Sequence, residues 1–152
     1  MRTFTSVKDL QDAVGEELGS TDWLVIEQSR VDGFADATDD HQWIHVDPER
    51  AAAGPFGATI AHGYLTLALL SRFSWEIYTV ENASAVINYG LNRVRFIHPV
   101  RVGARVRSTA TLDSVSEVAG GAQVVLSHRV DVEVDGRPKP ACVAESIGRI
   151  LF

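Results

Sequence analysis

Cysteine is almost missing from this chain: Cys142 is the only one in 152 residues. An intrachain disulfide and a four-cysteine zinc site are therefore both excluded, and a reducing compartment suits the protein. Long apolar runs are missing too. None approaches the ~18 residues needed to span a bilayer, and the opening MRTFTSVKDL lacks the apolar segment of a signal peptide. A cytoplasmic protein without a membrane partner is expected. Basic residues are the minority, 14 Lys and Arg against 20 Asp and Glu, and the net charge is −6. Nucleic-acid-binding domains are usually basic, so no nucleic-acid partner is expected. The chain also has no repeat at solenoid spacing, no low-complexity tract and no linker-like segment.

What is present fits one domain over residues 1–152, long enough to bury a core without a disulfide or metal staple. Ser6 is a candidate cap for a helix carrying Val7, Leu10, Val14 and Leu18 on one side, with Gly19 at its end. Trp23 to Glu27 reads as a short strand, and Ser29 with Asp32 resembles a capping box opening a short helix. Asp47-Pro48-Glu49 is a helix start, with Asp as cap and Pro at the first helical position. Residues 61–79 carry apolar side chains around almost the whole circumference of a helix, which predicts a buried central helix. After it the apolar period changes from helical to two. Four β-rich segments follow, and Asp135-Gly136 is a tight-turn signal between the last two. The expected fold class is α+β: an antiparallel five-stranded sheet wrapped around a long central helix. An open sheet edge favours pairing with a second copy, so a homodimer is expected.

The chemistry gathers in DDHQWIHVDPERAAAGPFGATIAHG, residues 39–63. His41 and His45 are four apart, the spacing of a helical metal pair. The cap at Asp47 and Pro48 places them ahead of a helix, however, and no third ligand follows at a recognised spacing. No metal is expected. Asp40 alone reads as a helix cap or a solvated acid, and His62 alone as a satisfied histidine at a helix start. Together they support more. A loop Asp and a loop His five residues apart can converge on one water, the imidazole taking its proton and the carboxylate orienting it. Gly63 opens the buried helix, where unsatisfied backbone N–H groups at the positive end of the dipole suit a developing oxyanion. Addition of water to a conjugated thioester, or its removal, needs both features.

The same stretch resembles the MaoC-like dehydratase family, the (R)-specific enoyl-CoA hydratases of hot-dog fold. That family's signature is an aromatic residue, a few small residues, Gly-Asp-x-Asn-Pro-(aliphatic)-His, and later (aliphatic)-His-Gly. The matching residues are Phe34, then Asp39-Asp40-His41-Gln42-Trp43-Ile44-His45, then Ile60-Ala61-His62-Gly63. NYGLNRVRFIHPVRVGARV is similar to the family's first long strand and the turn after it, and TIAHG and PACVAES are closest to the actinobacterial and NodN-like branch. The resemblance implies that Asp40 and His45 are the catalytic pair and that Gly63 supplies the oxyanion N–H. It places Ser71 on a serine that lines the site, and groups Trp43, His62 and Gln42 with it as substrate-binding. It implies an acyl-CoA substrate and no cofactor beyond the coenzyme A that the substrate carries.

The chain departs from the signature where Asp39 replaces glycine and Gln42-Trp43 replaces Asn-Pro. Aspartate tolerates left-handed backbone, so the turn at Asp39 is expected to survive. Trp43 then either packs over the acyl tunnel or anchors the loop. Between Glu81 and Asp113 there is no acid, while Arg93, Arg95, Arg101, Arg105 and Arg107 all fall there. That patch reads equally as a cradle for coenzyme A phosphates or as a solvated strand face. Two alternatives to the hydratase stay open: a hot-dog acyl-CoA thioesterase and a non-catalytic acyl-binding subunit.

Overall fold

A computed structural model describes residues 1–152. Its centre is an antiparallel sheet with one long helix across it. The N-terminal strand β1 (Arg2–Phe4) leads to α1 (Val7–Asp12), capped by Ser6, whose hydroxyl accepts from the Asp9 N–H at 3.1 Å. The helix stops well before Gly19. Gly15 takes a φ of 89°, and Leu18 lies in the next strand, β2 (Glu17–Ser20), so the helical spacing of Val14 and Leu18 was a coincidence of two elements. The strand expected at Trp23–Glu27 is β3 (Leu24–Val25).

Next comes α2 (Gln28–Thr38), longer than expected and not opened by a Ser29 cap. Its first residue, Gln28, donates to Asp32 Oδ1 at 2.8 Å instead. Two short helices follow, α3 (Trp43–Val46) and α4 (Pro48–Ala52). The second starts as its sequence predicts, with the Asp47 carboxylate accepting from the Arg50 N–H at 3.0 Å. The long helix α5 (Gly63–Ile77) then crosses the sheet and passes into β4 (Tyr78–Val80), which pairs in parallel with β1.

The four long strands are β5 (Ala85–Phe96), β6 (Arg105–Val118), β7 (Gly121–Val134) and β8 (Arg137–Leu151). The β7–β8 turn places Asp135 at φ 52° and Gly136 at φ 71°, the pair of left-handed residues that a tight hairpin of native twist requires. The sheet order is β2-β6-β7-β8-β5, with β3 also on β6, which makes six strands rather than five. The extra strand arises because the outer position beside β6 is shared. Thr21 interrupts it by accepting the Ser108 N–H with its hydroxyl at 3.1 Å, so β2 and β3 pair with β6 separately.

Alternation turns Val106, Val130, Cys142 and Ala144 inward against Leu65, Leu69 and Phe73 of α5, all buried in one cluster. A second cluster joins Ile77 and Tyr78 to Phe4, Leu10, Leu112 and Ile150. The helix is not buried all round. Tyr64 is 71% and Trp75 58% exposed, and with Ala68 and Ser71 they form an open stripe beside the edge strand β5. In one chain nothing covers that stripe, which explains why it was read as interior.

Candidate active site

The segment between β3 and α5 carries the site and is pinned to the sheet at one place. Ile60 bridges Arg101, the Ala61 N–H donates to the Val100 carbonyl at 2.8 Å, and the Val102 N–H donates to the Thr59 carbonyl at 2.8 Å. Asp39 ends α2 in the left-handed conformation, φ 58° and ψ 17°. Aspartate therefore makes the turn without glycine, and the chain swings Asp40 toward the N-terminus of α5.

His45 lies in the single turn of α3 rather than in a loop, and it is buried. Its Nδ1–H donates to the Ile60 carbonyl at 2.7 Å, which fixes the tautomer and leaves the Nε2 lone pair free. His62 is 3% exposed, and its Nε2–H donates to the Asp40 backbone carbonyl at 2.9 Å. The two imidazoles stack with centroids 3.7 Å apart, and Phe34 closes the other side of His62 at 5.0 Å. One carboxylate oxygen of Asp40 and one nitrogen from each ring lie within 4.8 Å of one another.

Burial, with a smaller contribution from the neighbouring His62, holds His45 below the ordinary histidine pKa of 6.5. The Ile60 hydrogen bond and the Asp40 charge only partly oppose this. A neutral imidazole with a free Nε2, beside a half-exposed carboxylate, is suited to taking a proton from water. The set fits a metal poorly. Imidazole lone pairs lie in the ring planes, and two stacked rings direct them side by side rather than to one point.

His41, the other half of the expected helical pair, is exposed and turned away. Its Nε2 meets Asp36 Oδ1 at 2.9 Å, and that hydrogen bond raises its pKa above 6.5. Gly63 is the first residue of α5, so its N–H has no acceptor within the helix. A Cβ there would lie 3.0 Å from the Phe96 ring, a contact the ring meets only by shifting a few tenths of an ångström. Trp43 rests against Gly54 and lies 4.5 Å under the Arg50 guanidinium, which makes it an anchor for the loop. Gln42 is exposed at the start of α3, and its carbonyl accepts the His45 N–H at 2.9 Å. Ser71 lies two turns along α5 from Gly63, where its hydroxyl accepts from Asn88 Nδ2 at 3.1 Å. It lines a groove between α5 and β5 rather than the Asp40–His45 pair.

Two features were missed in the sequence. Gln28 clamps the loop from behind, its amide donating to the His45 carbonyl at 2.7 Å and accepting the Thr59 hydroxyl at 2.6 Å. The other is the stacking of His62, grouped with the substrate-binding residues above, on the His45 ring. Two of the arginines are engaged across neighbouring strands instead: Arg93 bonds Glu145 and Arg105 bonds Glu133.

An antiparallel sheet wrapped on one helix, with an acid and a buried histidine beside the helix start, defines a hot-dog protein, and the chain belongs to the MaoC-like family. Residues 9–134 match the model described as MaoC like domain. The chain is 60% identical to 3-hydroxyacyl-thioester dehydratase Z of Mycobacterium tuberculosis, over 99% of both chains. It is 46% identical to Nodulation protein N of Rhizobium meliloti, over 97% of this chain and 92% of the relative. The (R)-hydratase from A. caviae involved in PHA biosynthesis shares the fold, with a TM-score of 0.71 at 23% identity over 89% of this chain and 94% of that one.

Proposed function

We propose that the protein is an (R)-specific enoyl-CoA hydratase, equally a 3-hydroxyacyl-thioester dehydratase, in which Asp40 and His45 activate water and the Gly63 N–H holds the thioester oxygen. The observation that carries this reading is the His45 Nδ1–H bond to Ile60, which leaves Nε2 as the free nitrogen of a ring that has one nitrogen within 4.8 Å of an Asp40 carboxylate oxygen. The near-identical length of the dehydratase relative supports it.

In hydration, the Asp40 carboxylate orients a water whose proton passes to His45 Nε2 as its oxygen bonds C3 of the enoyl thioester. The electron pair of the double bond moves toward the thioester oxygen, where the Gly63 N–H and the helix dipole meet it. C2 then takes a proton from the acid form of the pair, which restores both groups. His62 and Gln28 are positioning residues: one holds the backbone of Asp40, the other that of His45. No resident cofactor is needed, and coenzyme A enters as part of the substrate.

Residues 1–152 work as one MaoC-like hot-dog unit, because β8, beyond the family match, pairs with both β7 and β5. A homodimer joined at β5 and a cytoplasmic location complete the reading. No helix is long and apolar enough to cross a membrane. The test is absorbance of crotonyl-CoA alongside thiol release. Loss of the conjugated band without free thiol supports the hydratase. Thiol release identifies a thioesterase, and no change identifies a binding subunit.

A further inference from the structure

The groove beside Ser71 has a polar floor that the water chemistry does not use. It is a cavity of about 310 Å³ between the second half of α5 and strands β5 and β8, and Leu67, Trp75, Tyr89 and Leu91 give it apolar walls. His128 and Ser146 line it from below. His128 is 3% exposed, its Nε2 lies 3.1 Å from the Ser146 hydroxyl, and its Nδ1 is buried with no hydrogen-bond partner. Burial pushes the ring down to about 4, against a smaller opposing effect of Asp113, so it is neutral near pH 7.

A buried unpaired nitrogen is costly, and replacing His128 with an apolar residue would remove that cost. An apolar tunnel for a plain alkyl chain gains nothing from this pair. Gly63 packs at the level of Phe96, which pairs with Cys142, and Cys142 pairs with Val130. His128 is two residues further along β7, about 7 Å along that strand and two strand spacings across the sheet, so about 12 Å from the level of Phe96. A medium-length acyl chain starting at the Gly63 N–H would reach it.

Resting on the hydratase reading, we infer that the His128–Ser146 pair recognises a hydroxyl group on the distal part of the acyl chain, so that the substrate class is hydroxylated medium-chain enoyl thioesters. Hydroxyl matches the pair in both of its arrangements. If Nε2 carries the proton and donates to Ser146, Nδ1 accepts from the ligand hydroxyl. If Nδ1 carries the proton, it donates to the ligand oxygen while Ser146 donates to Nε2. A methyl group satisfies neither.

The test compares trans-2-octenoyl-CoA with 8-hydroxy-trans-2-octenoyl-CoA, and the ten-carbon pair with a terminal hydroxyl, using the intact protein. Binding of saturated octanoyl-CoA and 8-hydroxyoctanoyl-CoA is followed by calorimetry. The expected result is about a tenfold preference for the hydroxylated chain in kcat/KM and in binding, at one of the lengths. His128→Leu should abolish it by raising use of the plain chain and lowering use of the other, while crotonyl-CoA, too short to reach the pair, is turned over as before. Ser146→Ala gives a second route to the same loss should His128→Leu fail to fold. Equal use of both chains with crotonyl-CoA hydrated would overturn the inference and leave the hydratase standing. Failure to hydrate any chain would strike the hydratase reading instead, with calorimetry then deciding whether the groove still selects hydroxyl. Loss of the dimer in His128→Leu with unchanged selectivity would assign the groove to packing between copies and overturn the inference as well.

Discussion

The imidazoles of His45 and His62 stack 3.7 Å apart and 23° from parallel, each with one nitrogen committed to a backbone carbonyl. Burial, with a smaller contribution from the His62 ring, holds the His45 pKa below 6.5. The stack holds the plane of the His45 ring without a second carboxylate.

Asp40 and His45 should behave as one unit. Asp40→Asn removes the charge that orients water, and His45→Gln removes the proton acceptor. Each should lower kcat for crotonyl-CoA by about 10²-fold or more. The double variant should lose far less than the product of the two, as coupled groups do. Full activity in either single variant would remove that residue from the mechanism.

The pH profile tests the state of His45. Its neutral form is the base, and burial lowers its pKa, so activity should persist below pH 6.5 and fall only at more acid values. An acid limb of kcat/KM centred at or above 6.5 would contradict the buried neutral ring.

Gly63 separates the oxyanion site from the water site. His62 has ψ 139°, the extended backbone that tolerates a following proline, and proline suits a first helical position. The Phe96 ring stands in the way at 3.0 Å, so Gly63→Pro should be made in a Phe96→Ala background. Relative to that background, turnover should drop about 10²–10³-fold with circular dichroism and melting retained. Near-normal turnover in a folded variant would place the oxyanion elsewhere.

The edge strand β5 leaves Ile87, Tyr89, Leu91 and Phe96 between 44% and 54% exposed. Exposed apolar edges call for a partner, and light scattering should give about twice the 16.6 kDa chain mass. Leu91→Lys should shift the population toward monomer. A fully active wild-type monomer would refute the dimer.

The four long strands were legible because period-two patterning and a left-handed turn pair are local signals. The nearness of Asp40 and His45 to the start of α5 was legible too, since these residues lie in one short stretch. The rest was set by contacts without periodicity. Gln28 meets His45 across 17 residues and Thr59 across 31, and His62 meets Asp40 across 22. The capping box read at Ser29 lost to that clamp, because Gln28 is held by Asp32 within α2 and by His45 and Thr59 outside it. The apolar stripe at Tyr64 and Trp75 was read as interior because sequence records that a face needs covering, not what covers it. His128 gave no signal at all, since a strand's inward position looks the same whichever residue fills it.

The buried His128 also governs how the fold responds to acid. The unfolded chain takes up a proton at this residue near pH 6.5, whereas the folded protein resists until about 4. Unfolding therefore draws in a proton throughout that interval, and stability, constant above it, drains away as the pH falls. The difference amounts to about 3 kcal/mol, a sizeable share of what holds a domain of this length together. Acidification thus loosens the protein through an imidazole that moves no proton in the reaction, and the acid limit on its lifetime is distinct from the acid limit on its turnover.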